Sequence, residues 1–507
     1  MSTSRKLALG SAARVSHVML ATLAGFFMMP FLVGELGERW YGIWVAVGSL
    51  VGSYYLIDFG LASAVTRFVT MSIARKDADG VNQIINTALR IYCVLALLLI
   101  LVTAGLVMLI PVIMEDPGDV AIVRHTLSIV GLTLALGFPF KAFAGIGQAH
   151  NRYDLLTLIN IVSLAVLVAG SVVVVLMGYG ILGLAYAGLG ASMVTDLLLF
   201  QLVKRLFPDL SFSSRYFRRG LVRELFSYSS WSFVTQIADQ VRLRIDALIV
   251  GALINASAVT HYFVGARLAE LANNLLYQAT NIVTPILTRY HAEGRRSEMQ
   301  EAILFLTRIN IVAGVFVSGG LCALGAAFIA RWMGAEFLDA APVLFTLTVA
   351  MTAAFIVNPL DNLLYAVARH RALALINIGD AIANLALSLL LGHWFGMWGV
   401  ALGTLIPMLI SRFMLVVPYS CRQIDLPLGR YFGEVLLCLG TMLLSVFGAA
   451  LIARAFVGDG GYLRLIVLGG GMAALYGVCA WCFGLRQADR ERLLSLLNVR
   501  RGVDRPV

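Results

Sequence analysis

At 507 residues the chain is long enough for three or four soluble domains, but its composition excludes them. Sixty per cent of residues are AVILMFWYC and only 13% are charged. Adding the 48 glycines brings the apolar share to roughly 70%, against about 45 to 50% in soluble domains. With a mean hydropathy of +0.87, the chain reads as a polytopic integral membrane protein, which excludes disorder, collagen-like structure and a disulfide scaffold. The net charge of +10 then concerns orientation in a membrane and not nucleic acid.

In chain order, apolar stretches of about 20 residues or more, enough to cross a bilayer, fall near 13–34, 41–73, 84–113, 120–147, 153–177, 180–205 and 225–254. They continue near 257–290, 300–332, 340–368, 372–396, 398–420, 430–456 and 461–484. The expected fold is all-α, with about fourteen transmembrane helices. Basic residues alternate between the loops, and roughly 29 of the 38 cations fall on one side, which predicts that both termini are cytoplasmic. Arg5 and Lys6 followed by an apolar run read as the start of a first span and not as a cleaved signal. Cys479 and Cys482 lie inside the last span with Trp481 between them, so their CxxC reads as apolar packing.

Two halves repeat about 217 residues apart. Phe138-Pro139-Phe140-Lys141 aligns with Asn358-Pro359-Leu360-Asp361, Leu158-Ile159-Asn160-Ile161 with Leu375-Ile376-Asn377-Ile378, and Val65-Thr66-Arg67-Phe68 with Leu287-Thr288-Arg289-Tyr290. An offset of six spans preserves orientation, so the repeat is parallel. The expected domains are a first bundle over 1–208, a cytoplasmic linker over 209–223, a second bundle over 224–420, two further helices over 421–484 and a basic tail over 485–507. Repeat transporters of this build hold substrate near the midplane and alternate access to it. The recurring Pro139 and Pro359 predict a shared kink.

Ionisable groups inside spans are functional candidates, because each costs about 2.5–3.5 kcal/mol to insert. The seventh and eighth spans hold Asp239, Arg242, Arg244 and Asp246, then Arg267 and Glu270. Arg244 and Arg267 each lie about 17 Å along a helix from the turn near Asn255, close to the midplane. Arg267, Glu270 and Asn274 share one helical face. The corresponding positions of the first bundle, near Leu23 and Val45, are apolar. Arg242, Arg244, Arg267, Glu270 and Asn274, with Arg308 and Arg124, are the candidate substrate-binding set. A self-neutralised network, Arg244 with Glu270 and Asp246 with Arg267, is the competing reading. Asp58, Asp239, Asp246, Lys141 and Asp361 are candidates for ion coupling or gating, Lys141 and Asp361 occupying matching repeat positions with opposite charge.

No GxxxxGK(S/T) or HExxH occurs, so neither a P-loop nor a zincin site is encoded. The outer loops are too short for an acceptor-binding domain. Neither an enzyme nor a bound cofactor is expected.

Leu36-Gly37-Glu38-Arg39-Trp40-Tyr41-Gly42-Ile43, then Tyr55-Leu56-Ile57-Asp58-Phe59-Gly60-Leu61 and Thr66-Arg67-Phe68, resemble the opening of bacterial polysaccharide exporters of the O-antigen flippase (Wzx) type. These belong to the multidrug/oligosaccharidyl-lipid/polysaccharide exporter superfamily. Ile245-Asp246-Ala247-Leu248-Ile249-Val250-Gly251, Arg267-Leu268 and Pro285 match its second half. Ala247 departs from a pattern that often places Arg or Lys there. The resemblance implies a flippase in the inner membrane that moves a polyprenyl-diphosphate-linked oligosaccharide to the outer leaflet for exopolysaccharide, capsule or O-antigen synthesis. Coupling to H+ or Na+ is implied, as is work beside a polysaccharide polymerase and export machinery. A drug or cation antiporter of the same superfamily would favour carboxylates over the Arg layer, and a non-transporting scaffold would need no charges at midplane.

Overall fold

The computed structural model describes residues 3–58, 61–114, 116–150, 152–226, 245–278, 284–367, 369–456 and 461–491. Every regular element among them is helical. Ten helical stretches are long and apolar enough to cross a membrane. Their outward faces stay apolar, with Leu444 73% and Phe27 68% exposed, because hydrocarbon and not water surrounds them.

The chain forms two compact units, one of Met1–Gly251 with Asn255–Thr260 and the other of Ala252–Ile254 with His261–Val507. In the first, α1 (Thr3–Leu36) and α2 (Glu38–Gly52) lead to a 3₁₀ segment (Ser53–Asp58) and α3 (Leu61–Ala74), so the 41–73 span is interrupted. Then follow α4 (Ala78–Ile113), α5 (Pro117–Gly137), α6 (Lys141–Ala149), α7 (Tyr153–Leu176), α8 (Gly180–Leu206) and α9 over 245–253. Asp77 caps α4, its Oδ1 accepting from Gly80 N–H at 2.8 Å. Asp116 of the acidic loop caps α5 through Gly118 N–H at 2.8 Å, and Pro117 occupies the first turn, where no N–H is needed. Leu61, Val65, Ile85, Leu99 and Ile146 are fully buried in this unit's core.

The two units divide within 251–261, and the 209–223 segment lies inside the first. That segment is bound along α4 by two side-chain amides. Asn82 accepts from Ser211 N–H at 2.9 Å and donates to Asp209 O at 3.1 Å. One turn later Asn86 accepts from Ser213 N–H at 3.1 Å and donates to Ser211 O at 2.8 Å. Each amide supplies a donor and an acceptor to the extended backbone over 209–213, ahead of a 3₁₀ turn at Ser214–Tyr216 and a helix that starts at 219.

The next helix, α10 (Ala256–Gln278), begins in the first unit and continues in the second. Its first turn lies on α2. Ser257 Oγ donates to Glu38 Oε2 at 2.6 Å and Thr260 Oγ1 to Glu38 O at 2.6 Å. A Cβ at Gly42 would meet Ala256 O at 1.7 Å, so only glycine permits this approach. Arg39 pairs with Asp119 of α5.

The second unit continues with α11 (Thr284–Ala292), α12 (Arg296–Trp332), α13 (Ala341–Ala366), α14 (His370–Leu409), a π-helical stretch (Ile410–Val416), α15 (Val417–Gln423), α16 (Leu428–Phe456) and α17 (Tyr462–Cys479). The predicted spans 372–396 and 398–420 are two helices that meet at a turn on Gly396 (φ 61°, ψ −141°), a conformation open to glycine. Beyond the turn the two arms approach backbone to backbone. A Cβ at Gly399 would lie 2.0 Å from Leu391 O and one at Gly403 2.3 Å from Ser388 Oγ, a small-xxx-small contact. Ile303, Val357, Leu360, Tyr431 and Met442 are buried in this unit's core.

Pro139 and Pro359 do not behave alike. Pro139 sits in a turn that separates α5 from α6, whereas Pro359 lies inside α13. Proline removes the N–H that would bond the carbonyl four residues back. In α13 that carbonyl is Phe355 O, and Asn310 Nδ2 of α12 donates to it at 2.7 Å. The neighbouring helix therefore supplies the donor that lets α13 run on.

Candidate functional site

The part of α10 that lies in the second unit is fixed, near its start, against the segment leading into α13. His261 Nδ1 lies 2.6 Å from Asp339 Oδ1, and its ring stacks on Phe337 at 4.5 Å. Gly265 approaches so closely that a Cβ would be 2.6 Å from Ala340 O. His261, Gly265 and Leu268 define the face turned to α13. Arg267, Glu270 and Asn274 follow the opposite face by helical spacing. There Arg267 Nη1 donates to Glu270 Oε2 at 2.8 Å, with side-chain exposures of 25% and 49%, and Asn274 is exposed. The pair lies within one helix and leaves part of the guanidinium accessible. Such a polar stripe on a helix of a membrane protein belongs beside water, not lipid.

The other expected site residues sit apart from this stripe. Asp239, Arg242 and Arg244 lie outside the described residues, as does the proposed pairing of Arg244 with Glu270. Asp246 is buried on α9. Arg124 is exposed on α5. Arg308 is 5% exposed and fully engaged. Its Nε and Nη2 donate to the two oxygens of Asp489, both at 2.8 Å, and its Nη1 donates to Glu434 Oε2 at 2.7 Å. Arg486 Nη2 reaches Glu434 Oε1 at 2.5 Å. The four charges balance, and the cluster ties α12 to α16 and to the chain following α17.

Asp361 is likewise held inside its own unit. Arg412 Nη1 donates to Asp361 Oδ1 at 3.1 Å and Arg412 Nη2 to Asn377 Oδ1 at 3.1 Å. Arg412 is 3% exposed and lies on the π-helical stretch. The adjacent Ser411 Oγ donates to Asp380 Oδ1 at 3.0 Å. In the first unit Lys141 Nζ lies over the Phe138 ring at 4.2 Å, and the Asp58 carboxylate acts on it electrostatically. Asp58 is 1% exposed, and its Oδ1 accepts no hydrogen bond among the described residues.

Sequence reasoning missed Asp489, Glu434, Arg412 and Asn377. Asp361 and Arg412 are opposite charges in neighbouring apolar spans, a pairing the sequence offers. Asp489, in contrast, lies 181 residues from Arg308, within a stretch that reads as a solvated basic tail. Outside the spans, the turn after α11 carries a surface ladder in which Glu293 accepts from Arg289 at 2.7 Å and from Arg295 at 3.1 Å. Those hydrogen bonds, Arg289 first, hold the Glu293 carboxyl below its usual value.

A cavity of 710 Å³ opens among α12, α13, the π-helical stretch and α16. Its lining is apolar except where Ser318 and Thr352 bond each other. It offers neither a sugar nor a phosphate a partner, so α10 remains the better placed polar surface.

These broken and continuous spans, in two units with charges gathered at helix ends and on α10, define a polytopic membrane transporter fold. A lipid II flippase, MurJ, in an inward closed conformation shares it with a TM-score of 0.72 at 14% identity, covering 94% of this chain and 98% of that one. An inward-facing multidrug resistance transporter of the MATE family, in the MOP superfamily, scores 0.70 at 14% identity over 82% of this chain and 98% of its own. Residues 10–291 match the family described as Polysaccharide biosynthesis protein, and the chain belongs to that family. Relatives include "Uncharacterized membrane protein EpsK" of Bacillus subtilis, 24% identical over 422 residues, covering 82% of this chain and 83% of the relative. Another is "Putative O-antigen transporter" of Shigella flexneri, 21% identical over 413 residues, covering 79% and 94%.

Proposed function

We propose that this chain flips a polyprenyl-diphosphate-linked oligosaccharide from the cytoplasmic to the outer leaflet of the inner membrane, with both termini in the cytoplasm, driven by an H+ or Na+ gradient. One observation carries the reading. Among the in-span arginines whose side chains are described, Arg308 and Arg412 are sealed in interior ion pairs, while Arg267 stays part-exposed beside Glu270 and Asn274. A guanidinium so placed grips a diphosphate through paired N–H donors. Glu270 holds it when no substrate is present and yields to phosphate oxygens, which make charge-assisted bonds of the same kind. Arg242 and Arg244 extend this set in sequence, and Asn273 and Asn274 provide amides for sugar hydroxyls.

The family and its flippase and transporter neighbours point away from catalysis. The test is flipping of a lipid-linked oligosaccharide in cells or vesicles. Arg267→Ala loses transport by about 10- to 100-fold, the equivalent of a charged hydrogen-bond set worth about 1.5–3 kcal/mol, while the protein still reaches the membrane. Arg267→Lys keeps a part. If adding Glu270→Gln to Arg267→Ala restores transport, Arg267 serves packing and the phosphate role is overturned.

A further inference from the structure

We propose that Asp58 is the site at which the first unit takes up a coupling cation, a proton or a sodium ion, and that Lys141 is the built-in cation competing for it. Asp58 ends the 3₁₀ segment and stands 1% exposed next to a core of Tyr54, Leu61, Val65 and Ala142. A carboxylate withdrawn from water without a donor is strongly disfavoured unless a proton, a metal ion or a fixed cation compensates it. Four other buried or half-buried carboxylates described above meet a cation directly, and Asp380 accepts from Ser411. Asp489 and Glu434 hold Arg308, Asp119 holds Arg39, and Asp361 holds Arg412. Asp58 Oδ1 accepts no hydrogen bond among the described residues.

Besides Arg67 of α3, Tyr41 of α2 and the exposed Asp79 of α4, the charged and titratable groups on the described elements around Asp58 are these. The 3₁₀ segment packs against α2 and α4. On α2, Glu38 and Arg39 are engaged at the far end with Ser257 and Asp119. On α4, Arg90 lies over Phe217 at 4.5 Å, Tyr92 meets Phe138 edge-on at 6.1 Å, and Cys93 is exposed. Within the segment, the Tyr54 hydroxyl accepts from Thr103 Oγ1 at 3.2 Å. Lys141, the first residue of α6, is the cation whose field reaches Asp58, and its ammonium rests on the Phe138 ring at 4.2 Å. Lys141 therefore has two attractions, an aromatic face and a carboxylate. When the coupling cation occupies Asp58, the ammonium is left on Phe138. When the cation leaves, the ammonium turns to the bare carboxylate.

Both residues stand at helix breaks. Asp58 precedes α3, Lys141 opens α6 after the Pro139 turn, and α3 and α6 pack closely enough that a Cβ at Gly145 would lie 3.2 Å from Thr66 Cα. Discontinuous helices of this sort are where transporters bind ions, and moving one charge at this joint changes the force between two closely packed short helices.

The test uses the purified full-length protein in detergent and needs no glycan, so it stands or falls separately from the flippase reading. That reading supplies only the cycle in which the cation is used. Thermal unfolding is followed by tryptophan fluorescence across the neutral pH range in choline chloride, and again with NaCl at equal ionic strength. A sodium site shows as NaCl-dependent stabilisation at fixed pH. A proton site shows as pH dependence without a sodium response. Asp58→Asn abolishes whichever the wild type shows, and Lys141→Gln raises the apparent affinity for that cation about tenfold, because a neighbouring charge changes ion occupancy on this scale. If Asp58→Asn keeps the wild-type response to both cations, the proposal is overturned. Should Asp58→Asn fail to fold, an unchanged apparent affinity in Lys141→Gln overturns it equally.

Discussion

Gly42→Ala is the sharpest test of how α10 is joined to the first unit. An added methyl would lie 1.7 Å from Ala256 O and 3.0 Å from Thr260 Oγ1, whereas a tolerable carbon–oxygen separation is about 3.3 Å. The helices must part by about 1.6 Å, and the two 2.6 Å hydrogen bonds to Glu38 cannot stretch that far. Overpacking costs about 1–3 kcal/mol, the two bonds about 1 kcal/mol each, and the helix regains about 1 kcal/mol from alanine. The net destabilisation is about 2–4 kcal/mol. Gly48, on the same helix with nothing within 4 Å of its Cβ position, is the control, since Gly48→Ala keeps only the propensity gain. In thermal melts of detergent-purified protein, Gly42→Ala unfolds below wild type and Gly48→Ala at or above it. Glu38→Ala added to Gly42→Ala produces less than the sum of the two, because both act on one contact. Equal melting of the two glycine variants would refute the close approach.

Two further substitutions probe the second unit. Asn310→Leu leaves Phe355 O without its 2.7 Å donor and destabilises by about 1–3 kcal/mol. Pro359→Ala, which returns the backbone N–H, relieves most of that loss in the double variant, and chemical denaturation of the four proteins reads the coupling. Asp489→Ala removes the bidentate partner of buried Arg308 and lowers stability by about 3–5 kcal/mol. Replacing Arg308, Glu434 and Asp489 together with apolar residues recovers most of it, and an unaltered melt of Asp489→Ala would contradict the pairing.

The all-helical membrane fold was legible because hydrophobic length is a local property, readable span by span. The resemblance was also locally readable, and the structure gives two of its residues physical work: Glu38 and Gly42 receive the first turn of α10. What the sequence hid is decided by distant partners. Pro139 and Pro359 occupy equivalent positions, yet one breaks its helix and the other does not, and the donor at the second is an amide 49 residues upstream of that proline, at Asn310. The 209–223 segment looks like a linker by polarity, but two asparagines spaced one helical turn apart bind it to α4. Arg308 looked available to a ligand because the acid that satisfies it comes after the last helix. Arg267 alone stayed readable, since its partner Glu270 is three residues away on the same helix.

That distance between Arg308 and its carboxylates has a consequence for biogenesis. At about 5–20 residues per second of synthesis, Asp489, 181 residues later, emerges about 9–36 s after Arg308 has entered the translocation machinery. During that interval α12 holds a guanidinium in its first half with no counter-charge, a state that insertion tolerates at about 2.5–3.5 kcal/mol but that the finished interior would not. The second unit cannot complete its core until residue 489 has been made. A chain that stops short carries an exposed, unmatched charge, a mark by which membrane quality control can tell an incomplete transporter from a finished one.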